Sequence, residues 1–209
     1  MANTLDQLAT RTALIEIARD FHARGWMAGT AGNLSAREHD GSFWITASGK
    51  PKGRLEESDF LLVAIADGNI IEHTGNNKPS AETAIHRAVY QCFPDAHACL
   101  HVHTVDASLA AARAPADADS LPLPPIEMLK GLGIWDEHPQ VSLPLFENFL
   151  DVAKIAAAIG TRFKQSPPQI PALMVRGHGI TVWGGNLQEA YNRVEVMEFI
   201  MSYIARHPL

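Results

Sequence analysis

Apolar residues along this chain fall into two spacings, one helical and one strand-like. Leu14, Ile17, Ala18 and Phe21 recur every three or four positions, after a Thr4–Gln7 pair that reads as a capping box and before Gly25, a natural helix stop. The spacing predicts further helices from about Ala81 to Cys92, where Ile85, Ala88 and Val89 share a face, and over Val152–Phe163. A short Ala-rich helix follows Thr104. The last helix is the clearest: Asn186 caps it, Glu189 completes a capping box, and Leu187, Ala190, Val194, Met197, Met201 and Ile204 keep helical spacing. Shorter apolar runs predict strands at Ser42–Thr46, Phe60–Ile65, Ala98–His103, Ala172–Val175 and Ile180–Trp183. The turn signal Asp67–Asn69 folds Phe60–Ile65 back onto Ile70–Glu72 as a hairpin. Between Ala114 and Pro125 stand four of the chain's 13 prolines, which predicts a loop. Hairpin-linked strands with interspersed helices imply an α/β fold around a mainly antiparallel central sheet.

Composition narrows the function classes. With 209 residues, 46% hydrophobic and 19% charged, the chain suits one ordinary domain, expected to span residues 1–209. A formal net charge of −6 argues against nucleic-acid binding, which needs clustered positive charge. Apolar runs fall far short of the roughly 20 residues that cross a bilayer, so no membrane is expected. Neither a signal-peptide pattern nor a CxxC pair is present, and Cys92 and Cys99 cannot form a disulfide framework, so a reduced, cytoplasmic protein is expected.

Candidate chemistry starts in the run CLHVHT, residues 99–104. Residues two apart in a strand face the same side, so His101 and His103 can converge on one ion, while Leu100 and Val102 face the other way. Two hydrogen-bonded core histidines would give the same pattern, and His-x-His alone does not decide between them. His178 stands between Gly177 and Gly179 in VRGHGITVWG, where flanking glycines allow a tight turn into a crowded site. It is the best third candidate; His86 lies inside a helix, and Cys99, although on the His101 face, is not expected to ligate. Three polar turns offer amides, hydroxyls and a helix N-terminus of the kind that binds a phosphate. They are GTAGNLS with Asn33, TASGK with Ser48, Gly49 and Lys50, and NKPSAE with Lys78 and Ser80.

In order along the chain, GTAGNLS, ITASGKPKG, KPSAETAIHRAVY, LHVHT, EMLKGL and VRGHGITVWG resemble the motifs of the zinc-dependent class II aldolase and epimerase family. The resemblance runs from the first helix to the last and is strongest toward a dehydratase branch acting in methionine salvage. It implies a single three-layer αβα domain with a central, mainly antiparallel sheet, assembled as a homotetramer with active sites at subunit interfaces. It implies one zinc per subunit on His101, His103 and His178, and phosphate contacts from Asn33, Ser48, Gly49 and Ser80, with Lys50 and Lys78 as further candidates. Two carboxylates compete for proton transfer: Glu82 sits where the family's aldolases carry their catalytic glutamate, while the setting of Glu127 matches the dehydratase branch. The expectation is Glu127 as acid/base and Glu82 near the metal. The implied reaction removes water from a methylthio-substituted ketose 1-phosphate through a zinc-stabilised enediolate, leaving a 2,3-diketone phosphate, with Trp135 and Phe146 candidates for holding the methylthio group. The alternatives are a zinc-dependent sugar-phosphate aldolase or epimerase of the fuculose- or ribulose-phosphate type, and a non-catalytic metal-binding module.

Overall fold

Strands such as FLLVA and ACLHV carry buried side chains at nearly every position, so both faces of their sheet must be covered. The computed structural model describes residues 4–38 and 41–207, the side chains of 4–7 excepted. Among these, nine strands form one sheet: β1 (Asn33–Arg37), β2 (Ser42–Thr46), β3 (Phe60–Ala64), β4 (Ile70–His73), β5 (Ala98–Val102), β6 (Ser120–Pro122), β7 (Ser142–Phe146), β8 (Ala172–Val175) and β9 (Gly179–Gly184). Their order is β4-β3-β2-β1-β5-β9-β8-β7-β6, and only the β7–β8 pair is parallel.

Helices α2 (Thr83–Cys92) and α4 (Val152–Gln165) cover one face, packing Ile85, Val89, Ile155, Ile159 and Phe163 against Phe43, Leu61, Cys99 and Trp183. Helices α1 (Thr4–Ala23), α3 (Val105–Ala111) and α5 (Leu187–Arg206) cover the other, with Phe21, Ala110, Val194 and Met201 against Trp44, Leu62, Leu100 and Val182. The three-layer αβα arrangement and mainly antiparallel sheet expected from the sequence are therefore present. Consecutive β5 residues Cys99 and Leu100 enter different cores, as strand alternation requires. No helix of the described residues is long and apolar enough to cross a membrane.

Several expectations need correction. The sequence predicts only a polar turn where β1 lies, because Asn33, Ser35 and Arg37 break its apolar pattern. Ser35 is nevertheless fully buried: its hydroxyl meets His86 Nδ1 and Tyr90 Oη, each at 2.7 Å, and Cys99 O at 3.2 Å. Strand β7 is not predicted by the apolar spacing, and the expected loop at 114–125 contains β6, whose Ser120–Pro122 pairs with Ser142–Pro144 at the sheet edge, where proline is tolerated. Glu189 does not close a capping box: Asn186 Oδ1 accepts from Glu189 N, but the Glu189 carboxylate accepts from Gly185 N, one residue earlier. The Thr4–Gln7 capping pair has side chains outside the described residues. Phe146 is packed into the core against Phe163, which leaves it no free face for a substrate group, while Trp135 is 73% exposed.

Candidate active site

Strand β5 carries two imidazoles toward the C-terminal end of its ladder. His101 is fixed by pairing with Asn33 of β1 on one side and Thr181 of β9 on the other. His103 lies one residue past the strand and is tied back by its amide to Trp26 O at 3.0 Å. His178 enters from the β8–β9 turn, in which Gly177 adopts φ +57°. Gly179 must stay glycine, because a Cβ there would lie 2.2 Å from Val102 O and 3.1 Å from His101 Cε1. The three rings are mutually edge-on, with centroids 4.6–5.1 Å apart. Glu82, the residue before α2, completes the group. Its Oε1 lies 2.6 Å from His178 Nε2, 3.5 Å from His103 Nε2 and 3.6 Å from His101 Nε2.

The four side chains offer ligand atoms all within 4.8 Å of one another. The fit to a metal rests on His101. Its Nδ1 lies 2.9 Å from Ile180 O, a pure acceptor, and 3.0 Å from Thr181 Oγ1. Nδ1 must therefore carry the proton, which leaves the Nε2 lone pair turned to the cluster, as outer hydrogen bonds set metal-binding histidines elsewhere. Burial holds the His101 pKa below its ordinary value, against the pull of Glu82, so the ring is neutral and able to ligate. Burial opposes ionisation of Glu82, but the surrounding imidazoles, His178 Nε2 at 2.6 Å foremost, outweigh it and keep the carboxyl well below the usual carboxylate range. Three imidazole nitrogens and one carboxylate are a hard-to-borderline donor set suited to a divalent ion. Cys99, fully buried in the α2/α4 core with its thiol pushed up by burial, takes no part.

Beside Glu82 opens a cavity of about 370 Å³ lined by Asn33, Ser48, Gly49, Ser80 and Lys52, among others. The structure thus brings together the three turns singled out in the sequence. Asn33 is 4% exposed, and its Oδ1 has no hydrogen-bond partner, an acceptor left for a ligand or water. The backbone reason is Gly32 at φ +79°, where a Cβ would lie 2.8 Å from His101 O, so β1 can press against the histidine strand. Ser80 Oγ lies 3.4 Å from Glu82 Oε2 and accepts from Glu82 N at 3.3 Å. Lys50 and Lys78 do not line the cavity; Lys50 pairs with Asp59 at 2.7 Å, and the carbonyl of Lys78 accepts from Ser48 N.

Glu127 is not brought to this cluster within the chain. It opens the 3₁₀ turn Glu127–Leu132, whose Leu129 and Leu132 pack into the core on the α5 side of the sheet. Its side chain is 81% exposed and pairs with Lys130 at 2.7 Å. Two residues near the site were missed from sequence. His86, set aside as a helix residue, is fully buried behind the cluster, bonded to Ser35 and held to a pKa of about 3 by burial, so it is neutral. Lys52 had only its place in KPKG, two residues beyond Lys50, as a signal.

The class II aldolase and adducin N-terminal domain family matches residues 12–204. A methylthioribulose-1-phosphate dehydratase of Microcystis aeruginosa is 54% identical over 195 residues, covering 93% of this chain and 94% of that one. A protein of the same name from Leptospira biflexa is 42% identical over 209 residues, covering 97% and 99%. Among solved structures, YgbL of Escherichia coli superposes with a TM-score of 0.78 at 28% identity, covering 95% of this chain and 89% of that one. Matched over more than nine-tenths of its length, with Glu82 shared between its histidine cluster and the cavity of its polar turns, this chain belongs to the class II aldolase family.

Proposed function

We propose that this chain is a zinc-dependent lyase that dehydrates 5-methylthioribulose 1-phosphate to 5-methylthio-2,3-dioxopentyl phosphate and water, a step of methionine salvage. One observation carries the reading: His101, His103 and His178 converge with Glu82, which also lines the cavity of Asn33, Ser48, Gly49 and Ser80. A metal placed beside a polar cradle suits a small phosphorylated ketose. The dehydratase name of relatives 54% and 42% identical supports the choice of reaction.

His101, His103 and His178 would hold the zinc, one per subunit, and the bound ion would act as a Lewis acid toward the C2 ketone and C3 hydroxyl, making the C3 proton acidic. Asn33, Ser48, Gly49 and Ser80 hold the phosphate and so fix the distance from C1 to the metal end of the cleft, with Lys50 and Lys78 as outlying candidates. Glu127 takes the C3 proton and returns it to the C4 hydroxyl, whose C–O bond breaks to release water; the resulting enol tautomerises to the diketone. Within one chain Glu127 belongs to the opposite layer. In this reading it serves the cleft of a neighbouring subunit in a homotetramer whose active sites lie at interfaces. The remaining expectations of the family reading, one domain over residues 1–209 and a cytoplasmic location, belong to the same proposal.

Glu82 favours a second reading. It is the carboxylate actually within the histidine cluster, the position from which a sugar-phosphate aldolase or epimerase of the fuculose- or ribulose-phosphate type transfers its proton. A turnover assay comparing methylthioribulose 1-phosphate with fuculose and ribulose phosphates decides between them. Water loss with the carbon chain intact is expected; a released aldehyde or dihydroxyacetone phosphate would favour aldol cleavage.

A further inference from the structure

The side chain of Lys52 is 1% exposed, and its ammonium touches only neutral partners, Thr30 O at 2.7 Å and Lys50 O at 3.0 Å. Among the described residues no carboxylate is in ion-pair contact with it. The two acids whose fields reach it are already engaged: Glu82 by three imidazoles and Asp59 by Lys50 at 2.7 Å. Two carbonyls use two of its three N–H groups. A buried cation with a spare donor and no counter-ion is costly, and such charges are normally paired.

The lysine cannot easily turn away. It opens the 3₁₀ turn Lys52–Arg54, which rests on α1: a Cβ on Gly53 would meet His22 Cδ2 at 2.5 Å, and His22 is itself held by Nδ1 to Met27 O at 2.9 Å. Leu55, next in the chain, is 1% exposed in the same core. Lys52 also lines the cavity beside Glu82, and among the described residues no other lysine or arginine does. Burial lowers its pKa to about 8, opposed by Glu82 and Asp59, so it is largely charged at neutral pH.

We propose that Lys52 is the cationic contact for the phosphate monoester in this cavity, supplying its third N–H and its charge beside the hydroxyls of Ser48 and Ser80. The proposal rests on the reading that the cavity takes the substrate's phosphate, and it moves the positive charge from the half-buried Lys50 and the exposed Lys78 to a buried residue. Because the same ammonium holds the carbonyls of Thr30 and Lys50, it also fixes the two turns that carry the cavity wall. An anion arriving there completes a group already in place, with little side-chain ordering left to lose.

The test is binding of inorganic phosphate to the metal-loaded protein, followed by phosphorus NMR titration, for the native chain and for Lys52→Met, Lys52→Gln and Lys52→Arg. Loss of a charged hydrogen bond predicts phosphate affinity ten- to a hundredfold weaker in the Met and Gln variants, with metal content unchanged. Lys52→Arg, which keeps the charge, should stay within about threefold of the native chain. If Lys52→Met does not fold, Lys52→Gln, which retains a hydrogen-bonding side chain, carries the comparison. Unchanged phosphate affinity in a folded neutral variant overturns the proposal, as does equal weakening in Lys52→Arg, which would mark a purely structural role. The binding readout needs no turnover. A chain that fails to dehydrate its substrate yet binds phosphate through Lys52 leaves this proposal standing, and a working dehydratase indifferent to Lys52 refutes only this one.

Discussion

Asn33 stands directly opposite His101 across the β1–β5 ladder, so a buried amide oxygen without a partner and a metal-facing imidazole are locked into one frame. The register of two strands, rather than any loop, sets the distance between the polar cradle and the histidine cluster. Asn33→Ala should therefore act on binding. A contact to a non-reacting phosphate serves ground and transition states alike, so KM should rise roughly ten- to a hundredfold with kcat little changed. Steady-state kinetics on the phosphorylated ketose checks this, and an equal fall in kcat with constant KM would reject it.

Metal retention should depend on a residue that never touches the metal. Thr181 Oγ1 helps hold His101 Nδ1, with Ile180 O as its companion. Thr181→Val keeps the shape and removes one of the two bonds; metal affinity measured by chelator competition should fall about tenfold. His101→Ala, His103→Ala and His178→Ala remove ligands outright and should leave metal content far below one equivalent. A His178→Ala protein with full metal would show that the third ligand lies elsewhere.

Proton transfer separates the two carboxylates. Glu127→Gln preserves size but neither accepts nor donates the reacting proton, so kcat should drop by about 10²–10⁴ with metal content intact. Glu82→Gln should instead disturb metal binding, since its carboxylate lies 2.6 Å from His178 Nε2. An active Glu127→Gln beside a metal-loaded but dead Glu82→Gln would return the chemistry to the aldolase type.

Glu198 on α5 gives a pH signature in stability. It is 5% exposed, bonded to Thr104, and its pKa is raised to about 7, by burial first and then by Asp106. The native carboxyl keeps its proton to about pH 7, whereas the unfolded chain releases it near 4.5, so the native state binds more protons between those values. Stability should fall as pH rises through that window and stay lower above it, by about 3 kcal/mol at most. Denaturant unfolding at pH 4.5 and pH 8 should show this loss in the native chain and a smaller one in Glu198→Gln; identical pH dependence of the two would exclude the account.

Local pattern alone determined much of this protein. Helix α5, strands β2 and β8, and the β3–β4 hairpin follow from periodicity and turn chemistry, because their apolar faces meet a core wherever the chain puts it. The shared face of His101 and His103 follows from strand alternation, and the need for glycine beside His178 was legible as a tight turn. Pairing across the sheet decided the rest. Strand β1 looked polar because Ser35 is satisfied by His86 and Tyr90, residues more than fifty positions away. No sequence signal marks Lys52 as the buried lysine and Lys50 as the one paired with Asp59 nearer the surface, since that depends on α1 packing over the 3₁₀ turn. Likewise Glu82 and Glu127 are both glutamates beside a helical turn in the sequence. Only the layered fold places one against three imidazoles and the other on the far side of the sheet, because burial and charge neighbours are properties of packed elements and not of neighbours in the chain.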